Sequence, residues 1–209
     1  MKSIIISGTD TGVGKTMLSA LLMASLPEYF YWKPVQSGMS DGTDSQTVLS
    51  FSGCSQERII PEVYIFSQPL SPHLASRLDG TTVDSSKLSL PRLSNLIIEG
   101  AGGLLVPLTD DLFFIDHFKT WNVPVLLACR STLGTINHTL LSLEALRKRE
   151  IPIVGCVLIG EVNSENEKAI EQFGNVKIVG RIPQISSFSS SIFRSIFNEQ
   201  FTLLRSILE

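Results

Sequence analysis

Cysteine is scarce. Cys54, Cys129 and Cys156 are the only three in 209 residues, scattered and odd in number. Such a set excludes a disulfide framework, lacks the spacing of a zinc site, and points to reduced thiols of a cytoplasmic protein. Charge is thin as well. Asp, Glu, Lys and Arg make up 18% of the chain, with a formal net charge of −3. Nucleic-acid backbones demand a clustered positive excess, so no nucleic-acid partner is expected. No uninterrupted apolar run is long enough to cross a bilayer, so no membrane partner is expected either. The first residues lead straight into an apolar strand pattern, without a charged leader or cleavage site. A Gly-x-Ser-x-Gly element and a Ser/His/Asp arrangement are both missing, which leaves nucleophile-based hydrolysis without support.

What the chain does hold is apolar sequence, 43% of it, arranged as alternating strand and helix patterns over a length that one α/β domain, residues 1–209, accommodates. Strands are expected at Ser3–Ser7, Tyr29–Lys33, Leu96–Glu99, Val123–Cys129, Ile153–Ile159 and Val176–Arg181. Helices are expected at Thr16–Ser25, Asp44–Phe51, Phe114–Trp121, Thr135–Arg149, Ser164–Phe173 and, as one C-terminal piece, Ser190–Leu208. Strand runs that are continuously apolar predict a mostly parallel sheet with helices on both faces. The Ser- and Pro-rich stretch Ser52–Arg92 reads as a connection with short helices, and Ser186–Ser191 as a loop. The C-terminal pattern is amphipathic, but only Arg194 and Arg205 bring positive charge to it, which favours a helix packed on the sheet over one lying on a membrane.

The chemistry gathers at strand ends, where parallel sheets place ligands. After Ile4-Ile5-Ile6 comes Gly8-Thr9-Asp10-Thr11-Gly12-Val13-Gly14-Lys15-Thr16. A strand, a glycine-rich turn and a helix start make an anion nest of backbone N–H groups, from which Lys15 reaches the terminal phosphates and the Thr16 hydroxyl a Mg²⁺ ion. Five residues separate Gly8 from Gly14, where the common phosphate loop has four. Lys33, fixed by Pro34 at the next strand's end, is placed to neutralise a developing anion; read alone it would be a solvated turn lysine. The run Leu96-Ile97-Ile98-Glu99-Gly100-Ala101-Gly102-Gly103 puts an acid and small residues at a strand end, suiting a metal-side carboxylate and close approach of phosphate or substrate. Asp44 is a second carboxylate candidate, or alternatively the cap of a helix. With phosphate oxygens and water, Thr16, Asp44 and Glu99 form an oxygen set suited to Mg²⁺. Free N–H groups near Gly134 and Thr135, at a helix start, suit a carboxylate. His73 and His138 lack further ligands at metal spacing and read as structural.

Taken in order, this nine-residue phosphate loop, Lys33-Pro34-Val35-Gln36-Ser37-Gly38, Asp44, Ser71-Pro72-His73, Glu99-Gly100-Ala101-Gly102-Gly103 and Leu133-Gly134-Thr135-Ile136-Asn137-His138 closely resemble the dethiobiotin synthetase family, from Ser7 to about Pro183. The resemblance implies a P-loop NTPase fold and an ATP-dependent cyclo-ligase that uses MgATP, CO₂ and 7,8-diaminononanoate. It implies that Lys33 stabilises a substrate carbamate and that the Gly12, Val13, Gly14, Lys15, Thr16 and Met17 backbone holds phosphates. Thr16, Asp44 and Glu99 would serve Mg²⁺, with Gly100, Ala101 and Gly102 beside the nucleotide and Pro183, Gln184 and Ile185 on its base side. Thr11 and Ser37 would contact the substrate. Gly134, Thr135, Ile136 and Asn137 would hold the carboxylate tail of a substrate bound to the neighbouring subunit of a homodimer.

The chain departs from the family pattern twice. Gly12 stands where some members carry Glu, and Val157-Leu158-Ile159-Gly160-Glu161 stands where an adenine-reading Asn is common. Strict preference for ATP over other triphosphates is therefore left open. Two related classes compete with this reading. One is a partitioning-type ATPase switch, which usually shows an extra lysine early in the loop, where this chain has Thr9-Asp10-Thr11. The other is an amidoligase, which typically adds a glutamine-hydrolysing domain that does not fit this length.

Overall fold

The structure, a computed structural model, describes residues 3–40 and 42–208. In chain order the elements are β1 (Ile4–Gly8), α1 (Lys15–Ser25), β2 (Phe30–Trp32), β3 (Val35–Ser37), α2 (Asp44–Ser52), β4 (Ile59–Ile60), β5 (Tyr64–Phe66), α3 (Pro72–Leu78), β6 (Leu96–Gly103), α4 (Phe114–Trp121), β7 (Val125–Arg130), α5 (Thr135–Lys148), β8 (Ile153–Ile159), α6 (Ser164–Gly174), β9 (Ile178–Ile182), α7 (Ser190–Gln200) and α8 (Thr202–Leu208). Seven strands pair in the order β4-β2-β6-β1-β7-β8-β9, every pair parallel. A separate parallel pair joins β3 to β5.

Successive side chains of a strand point to opposite faces, and this chain uses both. Ile5, Ile98, Val125 and Leu127 enter one core with Ala75, Phe114, Leu143 and Ile170 from α3 to α6. Ile4, Ile6, Ile97 and Leu126 enter the other with Leu18, Val48, Phe193 and Leu204 from α1, α2, α7 and α8. The expected parallel sheet with helices on both faces is what folds. Because the seven strands run the same way, the loops after β1, β2 and β6 emerge together at one edge, beside the point where the strand order turns from β2 on one side of β1 to β7 on the other.

Several expectations need correction. The stretch 52–92 carries α3 and two single 3₁₀ turns, Gln56–Arg58 and Ser85–Lys87, but also the edge strand β4 and the outlying β5. Strands of two or three residues are too short to display a period. The single C-terminal helix is two, broken at Phe201, whose backbone leaves helical geometry while its ring is wholly buried against Gly180. At Gly180 any Cβ would meet that ring. Asp44 is not the cap of α2. Thr43 is, its hydroxyl accepting from the Gln46 N–H while Gln46 accepts from the Thr43 N–H. The Asp44 carboxylate is thereby left for other partners.

Candidate active site

The turn between β1 and α1 curls around a left-handed Gly14 (φ 104°), where a Cβ would stand 2.9 Å from Ile159 Cδ1. Only glycine fits both the angle and the space. Gly14 caps α1 without a side-chain bond, so the first N–H groups of the helix face the cleft outside it. That cleft holds about 640 Å³. Thr11, Gly12, Gly14, Lys15, Thr16, Met17, Lys33, Ser37, Asp44, Glu99, Ala101 and Gly102 all line it. Both lysines therefore open into one cavity, though they come from different strand ends.

On its floor lies a buried ionic cluster. Glu99 is completely buried and receives four donors. Thr16 Oγ1 at 2.9 Å and Lys33 Nζ at 3.1 Å reach its Oε1, and Ser19 Oγ at 2.6 Å and Tyr31 OH at 3.0 Å its Oε2. Lys33 Nζ also pairs with Asp44 Oδ2 at 2.5 Å. Asp44 is oriented by α2, whose first N–H donates to Gln36 Oε1 at 3.1 Å. Burial alone would pull the Lys33 ammonium down. Attraction to Glu99 and Asp44, with their hydrogen bonds, outweighs it and leaves the pKa above the usual lysine value. Burial would likewise push Asp44 up, but Lys33 and the bonds from Lys33 and Thr16 hold it below its ordinary range. Lys15, held by the Asp10 carbonyl at 3.3 Å, is lowered by burial to about 8, against the pull of Glu99. Burial, then the neighbouring Glu99, pushes the Tyr31 hydroxyl well up, so it stays a donor.

The Thr16 hydroxyl has one proton and two carboxylate oxygens facing it, Asp44 Oδ1 and Glu99 Oε1, each at 2.9 Å. One proton cannot fully satisfy two acceptors. Three hard oxygens thus converge on an electron-rich spot, the donor chemistry of Mg²⁺ bound beside phosphate. Among the described residues no group of three or more His, Cys, Asp and Glu could hold a metal, so soft-metal or zinc coordination has no comparable cluster. Ser37 Oγ, at the cleft wall, is buried without a hydrogen-bond partner among the described residues.

Other expected residues lie elsewhere. Val13 is buried beneath the loop, and Gly100 contributes its carbonyl, 3.5 Å from Lys33 Nζ. Pro183 belongs to a small cavity of about 80 Å³ above β8 and β9, while Gln184 is exposed and Ile185 packs toward the α1 core. The Gly160 N–H donates to the Ile182 carbonyl at 2.9 Å, which holds this end of β9 beside β8 and Ile159. Gly134, Thr135, Ile136 and Asn137 open α5 outside the cleft, next to a fully exposed Leu133. His73 Nδ1 bonds to Ser71 Oγ at 2.9 Å. Sequence reasoning missed the cleft walls Pro69, Leu70 and Val106 and the orienting role of Gln36. None of these carries a local signal.

A family model described as an AAA domain matches residues 2–191. The ATP-dependent dethiobiotin synthetase BioD of Agrobacterium fabrum (strain C58) is 52% identical over 95% of this chain and 94% of that protein. That of Rhodopseudomonas palustris (strain HaA2) is 50% identical over 96% and 94%. Among solved structures, the septum site-determining protein MinD from Pyrococcus horikoshii, complexed with Mg-ADP, matches with a TM-score of 0.58 at 15% identity, over 100% of this chain and 98% of that one. The cell division ATPase MinD of Pyrococcus furiosus matches with a TM-score of 0.57, also at 15% identity, over 99% and 100%. These likenesses support a shared P-loop NTPase-type fold and nothing finer. With two near-full-length relatives at about half identity and a cleft that joins the phosphate loop to a buried Lys33–Asp44–Glu99 cluster, the chain belongs to the dethiobiotin synthetase family.

Proposed function

We propose that this chain is an ATP-dependent dethiobiotin synthetase, joining CO₂ to 7,8-diaminononanoate and closing the ureido ring with release of dethiobiotin, ADP and phosphate. The observation that carries the reading is the shared cleft. Lys15 at the phosphate loop and Lys33 beside Asp44 and Glu99 face one cavity, as a reaction between a triphosphate and a second anion requires.

In this reading one substrate amine adds to CO₂ and loses a proton, giving a carbamate. A carbamate oxygen attacks the γ-phosphorus and ADP leaves. The second amine then attacks the carbamoyl carbon and gives up a proton, and phosphate departs as the ring closes. The Lys33 ammonium stands against the carbamate oxygens, offsetting their charge before and after phosphorylation. Lys15 and the N–H groups of residues 12–17 hold the phosphates. Ser37, whose hydroxyl has no partner among the described residues, contacts the reacting amines, and Thr11 lines the same cleft. Leu70 and Val106 give the hydrocarbon chain an apolar surface. Thr16, Asp44 and Glu99 are the residues that would hold Mg²⁺, which when bound neutralises charge on the transferring phosphoryl group. Ring closure joins two groups of one bound molecule, so positioning accounts for much of the rate. The backbone around Pro183, Gln184 and Ile185 takes the nucleobase side. A symmetric dimer places the Gly134–Asn137 helix start of each subunit at the carboxylate tail in its neighbour's cleft.

Phosphate release from MgATP with bicarbonate, measured with and without 7,8-diaminononanoate, tests the proposal. Release that depends on the diamine and matches dethiobiotin formed supports it. Release indifferent to the diamine overturns it in favour of a nucleotide switch.

A further inference from the structure

Arg130 closes β7, and the chemistry above does not use it. Its side chain is about half exposed, yet it reaches back to the phosphate loop. Nη2 donates to the Thr11 carbonyl at 2.8 Å and lies 3.8 Å from the Asp10 carboxylate. The same nitrogen is 3.8 Å from the place a Cβ on Gly12 would occupy. The Arg130 backbone is anchored in turn, its carbonyl accepting from Thr135 Oγ1 at 2.5 Å.

We propose that Arg130 is a positioning residue for triphosphate binding, holding the Thr11 carbonyl so that the Thr11–Gly12 peptide keeps its N–H toward the phosphates. The inference rests on the synthetase reading, because it takes this loop as the triphosphate site. A trans peptide is planar, with C=O and N–H pointing to opposite sides. Pinning the carbonyl on Arg130 therefore aims the Gly12 N–H the other way. Gly12 sits at φ 69°, where glycine moves between conformations at little cost, so this peptide needs an outside hold. Turned over, it would present a carbonyl oxygen to an anionic ligand. The neighbouring groups follow the same scheme. Lys15 Nζ holds the Asp10 carbonyl at 3.3 Å, and the Thr11 N–H is taken by Asp10 Oδ1 at 2.7 Å, so the nest begins at Gly12. Gly12, unlike Arg130, lines the cleft.

The test uses the full chain with Arg130→Ala and Arg130→Lys. Calorimetric affinity for the magnesium complex of β,γ-imido ATP is measured beside steady-state kinetics and thermal stability. Arg130→Ala is expected to weaken analogue binding and raise the KM for ATP about tenfold, while kcat at saturating ATP stays within about threefold and the KM for the diamine within about twofold. Arg130→Lys recovers part of the affinity, since an ammonium can hold one carbonyl without the planar fork. Unchanged analogue affinity in Arg130→Ala overturns the proposal, as does a fall in kcat with KM for ATP intact. Should the unmodified enzyme show no diamine-dependent phosphate release, the synthetase reading fails, while analogue affinity still decides the role of Arg130.

Discussion

Lys33 is held between two carboxylates where water barely reaches, its exposure only 4%. Lys15, Lys33, Asp44 and Glu99 form two positive and two negative groups within one network. Removing Lys33 leaves Asp44 and Glu99 facing each other without their shared cation, a loss expected to cost about 3–5 kcal/mol in a buried setting. Lys33→Ala should therefore lower the unfolding midpoint. It should also cut dethiobiotin formation by about 10²–10³-fold, the usual effect of deleting one charge-stabilising donor. Nucleotide binding, which depends on Lys15 and the loop backbone, should survive. Adding Asp44→Asn to Lys33→Ala should restore part of the stability and none of the turnover. Turnover near normal in Lys33→Ala would remove the residue from its proposed role.

At the scale of elements, α4 shows how a local contact sets a pH response. His117 is buried, and its Nε2 lies 3.2 Å from the Leu88 carbonyl, which also accepts from Trp121 Nε1 at 2.7 Å. A carbonyl only accepts, so Nε2 carries the proton. Burial lowers the His117 pKa below its ordinary 6.5, against the smaller effect of that carbonyl. The folded state thus takes up the extra proton less readily than the unfolded one. Stability tied to His117 is complete above pH 6.5 and drains away as pH falls through the lowered folded value. Denaturant midpoints at pH ~7.5 and ~5.5 should converge when His117 is replaced by Phe. An unchanged difference would point to other groups. The same scale explains what the sequence makes legible. The phosphate loop, Lys33 and the β6 run are read directly because strand, turn and functional residue are contiguous. β3, β4 and β5 are not, since two or three residues show no period and their pairing is fixed by distant partners. Arg130 escapes for the same reason: 119 positions separate it from Thr11. The break at Phe201 depends on the absence of a side chain at Gly180, which no helical pattern can announce.

For the whole molecule, the separation of the α5 start from the cleft gives the dimer reading a direct test. Lys33→Ala disables a subunit's own cleft. Gly134→Val has open space around a new Cβ but a φ of 92° that strains any side chain, so it would disturb the α5 start that forms the tail site offered to its neighbour. Mixed after reversible dissociation, the two inactive variants should regain about a quarter of normal activity, because half the pairs contain one intact composite site. No recovery, with mixed pairs formed, would place the whole site within one subunit. In α1, Leu18, Ser19, Ala20, Leu21, Leu22 and Met23 are all wholly buried, enclosed by the sheet on one side and by α2 and α7 on the other. The shaft that bears Lys15 and Thr16 has no free flank on which to swing, so any adjustment of the cleft to its contents falls to the exposed margin formed by 39–40 and 67–70.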